Sequence, residues 1–182
     1  MSDVMTLPRR PLRVGDLEGV PDDGHRYELV DGTLVVAPSP ELSHQAIQSN
    51  LLRLLLDRCP PELFVLASPT DVVLADDTVV QPDALVVRRS DLAARRLTAV
   101  PLLVVEILSP STRLVDLGLK LARYESAGVA DYWVIDPEGE MTLSAWRLVD
   151  GRYGTAVRVS GDREWVTSAP YDLRISPGRL RP

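Results

Sequence analysis

Three side chains combine a chemically useful type with an unusual setting. Asp83 follows Pro82 and sits between the apolar runs Val79-Val80 and Leu85-Val86-Val87. Glu106 is the one charged residue in the stretch Leu102-Leu103-Val104-Val105-Glu106-Ile107-Leu108. Burying a carboxylate costs several kcal/mol unless it is paired, hydrogen-bonded or bound to a metal. If the two segments are neighbouring strands, both carboxylates can converge on one hard divalent cation, with water completing its shell. Each has an ordinary alternative: Asp83 as a solvated turn residue beside a proline, Glu106 as a sheet-end residue that reaches water or an arginine. The third side chain is Lys120, on the helix expected after the Glu106 strand. Of the 20 basic residues 19 are arginine, and Lys120 is the single lysine. A G+C-rich coding bias explains the arginines and leaves the lysine to be explained. A compact ammonium whose pKa shifts readily suits a water positioner or a general base. The competing reading is an exposed i,i+4 bridge to Asp116.

The elements that must position these residues follow from periodicity and turn chemistry. Residues 1–13, with Pro8, Pro11 and three arginines, read as a loose tail. Tyr27–Val30 and Thr33–Val36 flank Asp31-Gly32, a hairpin signal, because a type I′ turn needs positive φ at both central positions. Apolar residues 47, 51, 54 and 55 predict a helix over 43–58. Three β-like stretches, LFVLAS, TDVVLA and VVQPDALVV, fill 63–87, and 88–101 is a polar connection. Residues 102–109 predict a buried strand. After it, Leu114, Leu117, Leu121 and Tyr124 predict a helical stripe ending at Gly128. Strands over 131–136 and 141–148 are followed by a weaker β segment and a loose end. This succession of elements describes an α/β (α+β) fold: one domain over 14–182, a mixed sheet flanked by helices, with an N-terminal hairpin.

A specific ordered set of residues carries a resemblance over roughly 14–150. It comprises Tyr27-Glu28-Leu29-Val30-Asp31-Gly32, Ser43-His44, Gln81-Pro82-Asp83, Val105-Glu106-Ile107-Leu108-Ser109-Pro110-Ser111-Thr112, Asp116, Lys120, Tyr124, Gly128 and Tyr132-Trp133-Val134-Ile135-Asp136-Pro137. This succession resembles the bacterial "putative restriction endonuclease" family of the PD-(D/E)XK nuclease superfamily. The superfamily pattern places a lysine two residues after the second acid, where this chain has Leu108; Lys120 matches the position in a branch whose lysine has moved to the following helix. The resemblance implies a restriction endonuclease-like sheet and a DNA endonuclease. Asp83, Glu106 and the Ile107 carbonyl would hold Mg²⁺, with Mn²⁺ as a substitute. Lys120 would orient and help deprotonate the attacking water. Glu28 would be an accessory acid at the mouth of the site, and His44, near a phosphate or Glu28, and Gln81 would be accessory positions.

Composition sets outer limits. Hydrophobic residues make up 45% of the 182 and the net charge is −6, values of an ordinary globular chain and not of a protein that coats nucleic acid by bulk charge. No apolar run is long enough to span a bilayer, and the first dozen residues lack the apolar core of a secretory signal. Cys59 is alone, which fits a reducing cytoplasm; His25, His44 and Cys59 are the only soft ligands. No GxxxxGK[ST], HExxH or GxSxG motif occurs. Arg88, Arg89, Arg95, Arg96, Arg174, Arg179 and Arg181 are candidate DNA contacts. Asp136 reads as a turn-former, and Trp133, Trp146 and Trp165 as core or interface residues. The rival function is a non-catalytic nuclease-fold module for protein assembly or nucleic-acid binding; a carboxylate-pair sugar hydrolase, which needs no lysine, ranks below both. The β segments over 141–166 are the place for a homodimer contact.

Overall fold

The computed structural model describes residues 10–21, 23–93, 96–110 and 112–182. Residues 1–9 of the expected tail, Arg95 and Ser111 lie outside them. Strands β1 (Arg26–Val30) and β2 (Thr33–Ala37) form the expected hairpin. Asp31 and Gly32 both have positive φ, 52° and 72°, as a type I′ turn requires. Helix α1 covers Leu42–Arg58. Strands β3 (Leu63–Ala67), β4 (Val72–Ala75), β5 (Thr78–Val80), β6 (Ala84–Arg88) and β7 (Leu103–Ile107) follow. A π-helical segment, Val115–Lys120, runs directly into α2 (Leu121–Ala127), which ends on Gly128 with φ 83°. Strands β8 (Asp131–Asp136), β9 (Thr142–Val149), β10 (Arg152–Tyr153), β11 (Val157–Ser160), β12 (Trp165–Thr167) and β13 (Leu173–Ile175) complete the chain.

The main sheet has seven strands, β10-β9-β8-β7-β6-β3, with β11 on β9. It is mixed: β7 and β8 are parallel and the other pairs antiparallel. A four-stranded sheet, β2-β1-β5-β4, packs beside it. The expected run 79–87 is split between the two sheets. Pro82 has no N–H to give to a ladder, so pairing stops there, and the chain leaves β5 of the small sheet for β6 of the main one. Asp83 therefore stands at the crossing between the sheets.

Two cores occupy the two faces of the main sheet. Ile47, Leu51 and Leu55 of α1 pack on Val86, Val105 and Trp133, and Tyr124 and Val129 pack on Val104, Tyr132 and Val134 opposite. Trp165 meets Trp133 edge to face and Trp146 stacks on Tyr132, so the tryptophans belong to the core. Two expectations need correction. The chain end is not loose: Pro177–Leu180 forms a 3₁₀ turn with Leu180 buried, and its carbonyl accepts from Asn50. Residues 10–13 are also anchored, Leu12 being buried with its N–H on the Gly32 carbonyl.

That anchor yields a test of the hairpin. A Cβ at Gly32 would lie 2.7 Å from the Pro11 Cβ, and an L-residue at positive φ costs about 1–2 kcal/mol before any clash. Gly32→Ala is expected to lower unfolding free energy in urea by at least about that amount; an unchanged midpoint would contradict the packing described.

Candidate active site

The β6–β7 register pairs Ala84 with Val105 and Leu85 with Val104, so Asp83 and Glu106, each one residue further along, stand opposite one another at the sheet end. Both are buried, and both line one cavity of about 320 Å³ together with Ile107, Arg26, His44 and Asp116.

Asp83 is held from three sides. Its Oδ1 accepts from Arg26 Nη1 at 2.8 Å. Its Oδ2 accepts from the Ile107 N–H at 2.8 Å and lies 3.2 Å from His44 Nε2. His44 Nε2 is also 3.1 Å from the Ile107 carbonyl; with an acceptor on either side, that nitrogen must carry the proton. Burial alone would raise the Asp83 pKa, but the His44 hydrogen bond and the Arg26 charge hold it below the usual carboxylate value. Burial in turn works against a charged His44, and its bond to Asp83 outweighs that and raises its pKa. From below, Gln48 donates to the Asp83 carbonyl at 2.7 Å.

Glu106 sits over the second half of the site. Its Oε1 accepts from Lys120 Nζ at 3.0 Å and from the Tyr124 hydroxyl at 2.8 Å. Lys120 Nζ is also 2.9 Å from Glu28 Oε1. It is 3.2 Å from Asp116 Oδ1, an ion pair off the line of a hydrogen bond. One ammonium thus serves three carboxylates, all buried. Burial opposes its charge, but Glu106, Glu28 and Asp116 outweigh that and raise the Lys120 pKa, so it stays protonated. Burial pushes Glu106 up to about 8 despite Lys120, with Asp116, Asp83 and Glu28 adding repulsion. Asp116 is raised as well, again chiefly by burial.

The structure corrects several expectations. Asp116 and Lys120 form no exposed bridge; they point inward with Tyr124, four residues on, while Leu114 and Leu117 of the expected stripe are exposed. The π-helical turn, a feature common at functional sites, carries this inverted face. Glu28 is not at the mouth of the site but buried behind it, accepting from the Gln81 N–H at 2.6 Å. Gln81 enters through that backbone bond, its side chain turning away to Asp71. His44 contacts Asp83 and Ile107, not Glu28. Arg88 and Arg89 stand at the far end of β6, with Arg89 stacked on Phe64. Arg96 pairs with Asp71, Arg174 with Glu164, and Arg181 reaches the Pro137 and Gly139 carbonyls. Asp136 is a turn-former, its Oδ1 accepting from the Glu138 N–H. Arg26, Tyr124 and Gln48 are the site residues that sequence reasoning gave no role.

The sequence profile described as "Uma2: Putative restriction endonuclease" matches residues 14–176. The chain belongs to the Uma2 family. Among solved structures, the chain is similar to a protein from Anabaena variabilis described as a putative nuclease belonging to DUF820. The TM-score is 0.73 at 19% identity, over 88% of this chain and 90% of that one, a likeness of fold. No curated protein matches. Among the described residues no helix is long and apolar enough to cross a membrane.

Whether the Uma2 site suits a divalent cation can be judged from its donors. Among the described residues no three His, Cys, Asp or Glu side chains form a ready cage. Mg²⁺ does not need one: it keeps several waters and is held by one or two carboxylates, which Asp83, Glu106 and the Ile107 carbonyl would supply. Charge points the same way. Glu28, Asp83, Glu106 and Asp116 face Arg26, Lys120 and His44, so four ionised carboxylates leave an excess of two negative charges with His44 neutral and of one with it protonated. The donors and the charge fit a hard divalent cation.

Lys120 offers a test of this electrostatic core. Removing one partner of a buried ion pair typically costs about 3–5 kcal/mol. Lys120→Met should lose about that much stability to urea in the presence of chelator, and adding Glu28→Gln should recover part of it. A loss below about 1 kcal/mol would mean that the three carboxylates do not depend on this ammonium.

Proposed function

We propose that this Uma2-family chain is a Mg²⁺-dependent DNA endonuclease, with Mn²⁺ able to substitute, that hydrolyses phosphodiester bonds at Asp83 and Glu106. The observation that carries the reading is the meeting of these two carboxylates at one sheet end, in one cavity, with Lys120 behind Glu106. When bound, the cation would polarise the phosphate and lower the pKa of a coordinated water. The remaining work falls to side chains. His44 and the Ile107 N–H fix the Asp83 carboxylate, so its orientation costs nothing at the moment of reaction. Lys120 and Tyr124 fix Glu106. Lys120, held as an ammonium among Glu28, Glu106 and Asp116, acts on the attacking water by charge and position. Glu28 holds Lys120 in place and is a positioning residue.

A second reading has one observation in its favour. Arg26 and Lys120 already neutralise Asp83 and Glu106, which suits a nuclease-fold module that binds nucleic acid or protein without cutting. Plasmid cleavage separates the two. We expect cleavage with Mg²⁺ or Mn²⁺ that chelator abolishes and that neither Asp83→Asn nor Glu106→Gln supports. Stability should divide the variants. Both Asp83 oxygens accept from donors, so an Asn amide would oppose one of them at a cost of about 1–3 kcal/mol. Glu106, whose pKa lies near 8, tolerates a neutral Gln. Persistent cleavage by both folded variants would overturn the nuclease reading of this site, and DNA binding without cleavage in the wild type would establish the module.

A further inference from the structure

Two cations serve the site, one buried and one part-buried, and they are held very differently. Lys120 is 1% exposed and enclosed by three carboxylates, so it has nowhere to go. The Arg26 side chain is 15% exposed and, with Pro40, lines both the site cavity and a neighbouring one of about 640 Å³. Its guanidinium engages Asp83 through a single nitrogen, Nη1, and its buried Nε has no hydrogen-bond partner. An arginine fixed for structure usually spends its planar fork on a bidentate pair; this one does not. Nor does Asp83 need it for orientation, because Oδ2 is held independently by Ile107 N and His44. What Asp83 needs from Arg26 is charge, since a carboxylate this buried is costly without a partner. A divalent cation would supply that charge at the same oxygen.

We infer that Arg26 is an exchangeable counter-ion: it occupies Asp83 Oδ1 while no cation is bound, competes with the divalent cation for that oxygen, and withdraws into the adjoining cavity when the cation enters. This rests on the metal-dependent reading given above. Arg26 starts β1, two residues before Glu28 on the same strand face, so the hairpin that braces Lys120 also carries the competing group.

The test is cation affinity, independent of cleavage. Chelator-treated full-length protein is titrated with Mn²⁺ by calorimetry, comparing wild type, Arg26→Gln and Asp83→Asn. Removing the competitor should tighten Mn²⁺ binding by roughly tenfold or more, lower the melting temperature in chelator, and enlarge the rise on adding Mn²⁺; Asp83→Asn should not bind. Equal or weaker binding by Arg26→Gln, with Mn²⁺ still binding the wild type, overturns the competition and leaves the metal site standing. Absence of Mn²⁺ binding in both wild type and Arg26→Gln overturns the metal reading and this inference together. If Arg26→Gln fails to fold, the wild type decides: the Arg26 Nε–H resonance should shift and exchange faster at saturating Mg²⁺, and an unchanged resonance overturns the proposal.

Discussion

The Lys120 ammonium joins three parts of the molecule that are otherwise separate. Glu28 belongs to the hairpin sheet, Glu106 to the main sheet, and Asp116 to the helical turn that carries Lys120 itself. Without a cation at that point, three buried carboxylates would repel one another, and each would carry a desolvation cost of several kcal/mol. The small sheet must therefore lie against the end of the main sheet, and the turn before α2 must present its charged residues inward. The π-helical turn and the exposure of Leu114 and Leu117 follow from that demand.

Asp83 is governed by the same economy of charge but with a looser partner. It stands where the chain passes from β5 to β6, and it receives bonds from α1 through His44, from β7 through the Ile107 N–H and from β1 through Arg26. Two carboxylates that belong to one strand pair are thereby given different surroundings. Glu106 is enclosed and pushed towards its neutral form, while Asp83 stays ionised. The resulting cavity has Asp83 bonded on three sides at its floor and a single Arg26–Asp83 contact at one wall.

Much of this was legible in the sequence, for physical reasons that can be named. Asp83 and Glu106 showed as charges among apolar neighbours, and burial of a charge demands a purpose. Lys120 showed as the one lysine among 19 arginines. The Asp31-Gly32 turn and the strand after Pro101 depend on local chemistry that one segment contains in full. What stayed hidden depends on contacts between distant segments. Arg26 was one arginine of many, and only its pairing with Asp83, 57 residues away, distinguishes it. The helix after β7 misled because leucines at 114, 117 and 121 mimic a buried stripe. The counter-signal was Asp116, Lys120 and Tyr124 at spacings of four, which becomes compelling only once three carboxylates are known to converge. Glu28 lies behind the site and not at its expected place at the mouth, because the second sheet that covers it is built partly from β4 and β5, far along the chain.

In the proposed function Asp83 and Glu106 share one divalent cation. Anomalous diffraction from crystals grown with Mn²⁺ tests it most directly. One strong peak is expected in the cavity, bonded to an oxygen of each carboxylate and to the Ile107 carbonyl. No peak at full Mn²⁺ occupancy of the crystal solvent, or a peak bonded to neither carboxylate, would contradict it.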